Sequence, residues 1–184
     1  CTSSSYIRVA FVRCDESHGI AVGHDGRGTP IENASDVVAM AMGEARIAIG
    51  RHRSVDVIDR KGQPIAQRVV DQEIDNVVMA GDDVVFIGVA GRVLRWTLRD
   101  DALTTVHELP SGRHVRTFAW SSPTLYASDD SGWLLRIVDG AVKAEVEFDL
   151  MVRTVTVSDD GAWLALKLDD GRSHVVDPTT LAIL

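Results

Sequence analysis

The sequence predicts an all-β chain built from short antiparallel strands. Runs of β-branched and aliphatic residues alternate with turn residues, and no long window carries the 3.6-residue periodicity of a helix. The clearest stretch is Val152–Asp177, where Asp159-Asp160-Gly161 and Asp169-Asp170-Gly171 separate three apolar runs. Asp-Gly favours tight turns, because glycine tolerates a positive φ and aspartate bonds its own backbone. This stretch is therefore predicted to be a three-stranded antiparallel ribbon.

The ribbon belongs to a repeat. Four aligned apolar runs end at Gly50, Gly88, Ser128 and Lys167, at spacings of 38, 40 and 39 residues. A period near 40 is what the four-stranded blades of a β-propeller require. We expect about five blade units of mostly four antiparallel strands, preceded by a polar N-terminal tether over residues 1–5. The units within 6–184 are approximately 6–34, 35–75, 76–112, 113–150 and 151–184, the first abbreviated.

Each period is predicted to run from an apolar inner strand to a polar outer one. An inner strand packed between neighbouring sheets needs apolar residues on both faces, whereas an outer edge must resist pairing with other chains. The predicted inner strands are Val37–Met42, Asn76–Ala80, Val115–Trp120 and Val152–Val157. The predicted outer strands are Ile65–Val70, Thr104–Leu109, Val142–Phe148 and Leu181–Leu184.

Two stretches carry a family resemblance. Val115–Ser122 and Val152–Gly161 resemble the inner-strand and turn signature of WD-repeat β-propellers, and Val175-Val176-Asp177 is similar to the closing dipeptide with Val for Trp. The family's Gly-His dipeptide is missing, with Gly112-Arg113-His114 the nearest approach. Without that histidine the family's buried His–Ser–Asp network is not carried over, so we expect apolar packing to hold these blades.

The resemblance raises the question of ring closure. The family is typically seven-bladed, and about 40 residues per blade would need about 280, whereas this chain has 184 residues. It is expected either to close a small five-unit ring or to form an open arc that a partner chain or a second copy completes.

Net charge and hydropathy bear on the partners and the cellular location expected for the chain. The net charge of -8 disfavours nucleic acid as a partner, because phosphates would repel it. No apolar run approaches the roughly 20 residues of a membrane helix, so no membrane span is predicted. We expect a cytoplasmic protein. The start Cys1-Thr2-Ser3-Ser4-Ser5 keeps open a lipid-anchored or periplasmic protein, because it resembles the mature end of a bacterial lipoprotein; an artificial or proteolytic chain boundary is the other interpretation.

No enzymatic motif is present. Gly-x-Ser-x-Gly, P-loop and dinucleotide fingerprints are absent, and the six histidines show no metal-type spacing. The paired aspartates lack the spacing of a calcium loop and are interpreted as turn formers. The sequence thus predicts no metal, no cofactor and no catalysis. The alternative is a small propeller enzyme or carbohydrate-binding module with its site at the channel mouth.

Arginines at the entry to inner strands are the most suggestive polar feature. In a propeller such residues would ring the channel entrance and could bind an acidic peptide or partner loop. The predicted collar consists of Arg8, Arg113, Arg116 and Arg153. The alternative is that each arginine pairs with a nearby aspartate, such as Asp149 or Asp75.

Trp120, at the end of an inner strand, is either a packing residue between sheets or an interaction anchor. Together with the arginines it predicts a non-catalytic protein–protein interaction scaffold. Its partner is expected to be another protein, with the chain acting as a homodimer or as a subunit of a complex.

Overall fold

The prediction of an all-β chain is confirmed. A computed structural model describes residues 10–13, 18–22, 26–158 and 160–184, which form eighteen strands in five sheets and one short 3-10 turn, Ala34–Asp36. Within each sheet the strands follow one another in chain order. Among the described residues, none lies in a helix with the length and apolarity to cross a membrane.

The first sheet consists of β1 Ala10–Arg13, β2 His18–Val22 and β3 Gly28–Glu32. The second consists of β4 Ala39–Met42, β5 Arg46–Gly50, β6 Ser54–Asp59 and β7 Pro64–Val69. The third consists of β8 Ile74–Ala80, β9 Val84–Val89, β10 Arg92–Thr97 and β11 Ala102–Glu108. The fourth consists of β12 Val115–Ser121, β13 Thr124–Asp129, β14 Trp133–Val138 and β15 Ala141–Glu147. The fifth consists of β16 Val152–Val157, β17 Leu164–Leu168 and β18 Ser173–Val176.

The chain forms two compact units, each with its own core. The N-terminal unit comprises Ile7–Ile87 and Arg95–Leu103, and the larger part of the C-terminal unit comprises Gly88–Leu94 and Thr104–Leu184. In the N-terminal unit, Ile31 of the first sheet packs against Ile47, Ile49 and Ile58 of the second. The C-terminal core joins the fourth and fifth sheets, with the buried members Ala119, Tyr126, Leu134, Phe148, Val152, Val155, Val157, Leu164, Leu166, Leu168, Val176 and Leu181.

One predicted strand is shorter than expected. Leu181–Leu184 was expected to be the outer strand of the last sheet, but it forms only a single bridge between Val176 and Ile183. The carboxylate of Asp177 accepts the backbone N–H groups of Thr179 and Thr180 at 2.9 and 2.7 Å, which bends the chain into a turn directly after β18. Leu181 then adopts a φ of 61° and buries its side chain in the C-terminal core. The turn reverses the chain, so the end of this segment lies beside β18, where the N–H groups of Asp177 and Leu184 donate to the carbonyls of Ala182 and Val175, each at 2.9 Å.

Small residues at three of the aligned positions allow successive sheets of the repeat to pack closely. At Gly88 a Cβ atom would lie 2.8 Å from Cβ of Val115 on β12, and at Gly50 it would lie 3.2 Å from a methyl carbon of Val77 on β8. Ser128 donates its hydroxyl to the carbonyl of Val152 on β16 at 3.1 Å. These residues let the first strand of the following sheet approach closely. At the fourth aligned position Lys167 is exposed.

Candidate functional site

Two of the predicted collar arginines occupy equivalent places in the C-terminal unit. The register of β12 with β13 shifts between Val115 and Thr117, and that of β16 with β17 shifts between Val152 and Thr154. Arg116 and Arg153 are thus the extra residues of two equivalent β-bulges. A bulge re-aims the side chain it carries, and both arginines are exposed. Because β12 and β16 are neighbours, the bulges place two guanidinium groups on adjacent strands.

Arg153 has an acidic neighbour. Its Nε and Nη2 atoms both donate to Oδ1 of Asp169, at 2.9 and 2.7 Å. The side chains of Arg153 and Asp169 are 56% and 39% exposed, so water screens the pair and its net stabilisation is small. Asp149, one of the aspartates expected to neutralise the collar, instead accepts Nη2 of Arg172 at 3.0 Å.

Arg113 makes a different, structural contact. Its Nη1 donates to Oδ2 of the fully buried Asp129 at 3.2 Å, and its guanidinium carbon lies 5.5 Å from the ring centroid of Trp133. The other oxygen of Asp129 accepts the backbone N–H groups of Ser131 and Trp133, each at 2.9 Å. Through Asp129, Arg113 therefore helps to stabilise the turn between β13 and β14. Apolar packing alone was expected to hold the repeated units, but in this sheet the ion pair of Arg113 with the buried Asp129 contributes as well.

The two remaining predicted residues contribute less to the arrangement. Trp120 lies on β12, half-buried, opposite Leu125 in the strand register. Arg8 lies outside the described residues. The structure therefore places Arg116 and Arg153 at equivalent bulges of neighbouring strands, whereas Arg113 pairs with the buried Asp129.

A second candidate surface, which the sequence did not indicate, is a groove in the N-terminal unit. It has a volume of about 560 Å³ and runs between β3 and the outer strands of the second sheet. Ile31, Ile49 and Ile58 line its apolar side. Because the first sheet has three strands and the second has four, β7 is left poorly covered, and Ile65 and Val69 are 44% and 69% exposed.

The polar wall of the groove is a preformed network around Arg51. This guanidinium donates to the carboxylate of Asp56 at 2.6 Å and to the backbone carbonyls of Asn33 and Glu32 at 2.6 and 2.9 Å. Gln67 donates to the second oxygen of Asp56 at 2.8 Å. The Glu32 carbonyl of β3 therefore already accepts a hydrogen bond from Arg51, and Pro30 has no N–H to donate. For both reasons the outer edge of β3 is poorly suited to pairing with another strand.

The turn aspartates act as the turn formers that the sequence predicted. The backbone N–H of Arg172, followed by its guanidinium, lowers the pKa of Asp170 below the usual range. The Ser158 hydroxyl and the Ala162 N–H do the same to the pKa of Asp160. Such bonds favour the charged carboxylate. No group of three or more His, Cys, Asp and Glu side chains within the described ranges is arranged to hold a metal ion.

Comparison with known proteins adds no family. No protein-family model matches the chain, and no curated protein matches it.

Proposed function

We propose that the chain is a non-catalytic protein-interaction scaffold built from WD-like β-propeller blades. The observation that carries this proposal is the pair of equivalent bulges that present Arg116 and Arg153 on adjacent strands. Repeated sheets form a rigid frame, and recognition residues concentrate at the irregular positions that such a frame holds in place. The partner that fits two exposed guanidinium groups on a chain of net charge -8 is an acidic protein segment.

The chemistry of the pair suits a carboxylate-rich partner. A guanidinium donates two parallel hydrogen bonds to one carboxylate, which gives directional as well as electrostatic recognition. Arg153 already donates two hydrogen bonds to Asp169, but both go to the single oxygen Oδ1, and an exposed pair of this kind contributes about 0–1 kcal/mol. A carboxylate of the partner can therefore replace Asp169 at little cost.

The experiment is a binding titration with a labelled oligoglutamate peptide of eight residues, followed by fluorescence polarisation at low salt. We expect Arg116→Glu combined with Arg153→Glu to weaken binding roughly tenfold, equivalent to about 1.4 kcal/mol. Lys143→Glu combined with Arg99→Glu is the matched control, since both residues are exposed cations away from the two bulges and the pair changes the net charge by the same amount. Equal weakening by the control would show that only net charge matters and would refute the site.

A further inference from the structure

The fifth sheet has one covered face and one exposed face. Val155, Leu164, Leu166 and Val176 belong to the C-terminal core. The residues that alternate with them are exposed or half-buried: Thr154, Thr156, Ala165, Lys167, Ser173 and Val175. By contrast, β5, β9 and β13, the second strands of the middle sheets, are buried along almost their whole length, which requires cover on both faces. The exposed face of the fifth sheet thus occupies a position that the repeat elsewhere covers.

This face is part apolar and part cationic. The strand register aligns Thr156, Ala165 and Val175 in one row, and Thr154, Lys167 and Ser173 in the next. Val175 is 46% exposed, and Trp163, two residues before Ala165, is 42% exposed. Exposed Trp is characteristic of protein contacts, because it buries a large apolar area at low conformational cost.

The first sheet carries a face of complementary character. Thr29 and Ile31 of β3 are buried, whereas Gly28, Pro30 and Glu32 alternate with them and are exposed. Ile20 of β2 lies opposite Pro30 in the register and is 38% exposed. The described part of this face therefore combines an aliphatic centre with a carboxylate.

We propose that the exposed face of the fifth sheet packs against the exposed face of the first sheet of a second copy of this chain. The Lys167 ammonium would meet the Glu32 carboxylate, and Val175 and Trp163 would cover Ile20. Charge favours this pairing, because a chain of net charge -8 repels its own copies unless a cationic patch meets an acidic one. The contact goes beyond the proposed scaffold function and does not use Arg116.

The side chain of Lys167 limits how closely the fifth sheet can approach the first sheet of the second copy. Gly50, Gly88 and Ser128 allow close approach inside the repeat, whereas Lys167 stands at the same position of the fifth sheet. A long ammonium side chain would be costly to bury without a carboxylate beside it. Glu32 supplies that carboxylate, so the interface is specific for an acidic counterpart.

The contact is expected to be weak. A sheet of three strands and five residues covers about 14 by 17 Å, from the usual strand spacing and rise. Such an area is small beside the interfaces of stable dimers. Each copy offers both faces, so association runs head to tail, and it should depend on concentration.

The test is sedimentation velocity of the chain from about 5 to about 500 μM. We expect the average mass to rise above 20.0 kDa with concentration. Lys167→Glu and Glu32→Lys should each weaken association about tenfold through like-charge repulsion. The double variant, which exchanges the two charges, should restore it. Glu145→Lys, an exposed charge on β15, is the control and should leave association unchanged.

A chain that stays at 20.0 kDa over the whole range would overturn the proposal. Failure of the charge exchange to restore association would also overturn it, since the contact would then not join these two residues. Binding of oligoglutamate to the variants is measured in parallel. If the unsubstituted chain does not self-associate but its oligoglutamate binding depends on Arg116 and Arg153, this interface alone is rejected. If the chain self-associates as expected but oligoglutamate binding does not depend on these arginines, the arginine site alone is rejected.

Discussion

Gly88→Ala tests how the sheets of the repeat pack. Gly88 lies on β9, where a Cβ atom would sit 2.8, 3.0 and 3.3 Å from three side-chain carbons of Val115. Its φ is outside the left-handed region, so alanine is acceptable to the backbone itself. The substitution therefore adds a single methyl group against the following strand and changes little else.

The expected loss combines two opposed effects. Carbon atoms pack best at about 3.5–4.0 Å, so the new methyl group overlaps Val115 by about 1 Å. Overpacking of this kind costs about 1–3 kcal/mol, while replacing glycine by alanine stabilises by about 0.4–1 kcal/mol through the unfolded chain. We therefore expect Gly88→Ala to lower the free energy of unfolding by about 1–2 kcal/mol.

Urea denaturation followed by tryptophan fluorescence measures this loss. Gly50→Ala is the matched control, because its Cβ would lie 3.2 and 3.3 Å from methyl carbons of Val77 and Ile74, farther than the 2.8 Å at Gly88, and we expect a smaller loss. Val115→Ala removes two of the three carbons that crowd Gly88, so the double variant should lose less than the sum of the two single losses. If Gly88→Ala were as stable as Gly50→Ala, close approach at this position would not govern the packing.

Three further outcomes follow from single contacts. Asp129→Ala should lower the free energy of unfolding, measured by urea denaturation, by about 3 kcal/mol, because it leaves the half-buried guanidinium of Arg113 and two backbone N–H groups without their acceptor. A loss below about 1 kcal/mol would contradict a buried ion pair. The pKa of Asp177 is lowered below its usual value of 3.8, first by the Thr180 N–H, so its contribution is complete above that pH and is lost as the pH falls through the lowered pKa. The urea midpoint of Asp177→Asn should therefore fall less between pH 7 and about pH 2.5 than that of the unsubstituted chain, and an equal fall would contradict this linkage. Tyr126→Phe should cost about 1 kcal/mol at neutral pH, because the phenol donates to the Pro178 carbonyl at 3.0 Å; an unchanged free energy would show that water replaces this bond.

Local chemistry predicted the strands well where turns are short. Val152–Val157 is a strand with the predicted bounds, and the other inner strands differ by a few residues at their ends. Alternation and Asp-Gly turns fix such elements within a few residues of sequence. Leu181–Leu184 pairs with β18 over fewer residues than its apolar composition predicts, because the bonds of Asp177 hold the start of the segment in a turn and only Ile183 lies opposite Val176.

The candidate sites were less predictable. The position of the arginines at strand entries was visible in the sequence, but Arg113 and Arg116, three residues apart, have different roles. One guanidinium turns to the buried Asp129, and the other is carried by a bulge. The groove around Arg51 left no signal, because its walls come from strands that are distant in the sequence.

The sequence by itself determined the strand order and the turn chemistry, since both depend on residues within a few positions of one another, and its 40-residue period follows from aligning those strands along the chain. Only the tertiary structure decided which aligned positions are covered. Gly88 and Lys167 stand at the same place in the repeat, yet one lies against a neighbouring strand and the other is exposed. Burial is a property of the whole packed sheet, because it depends on what lies on its far side.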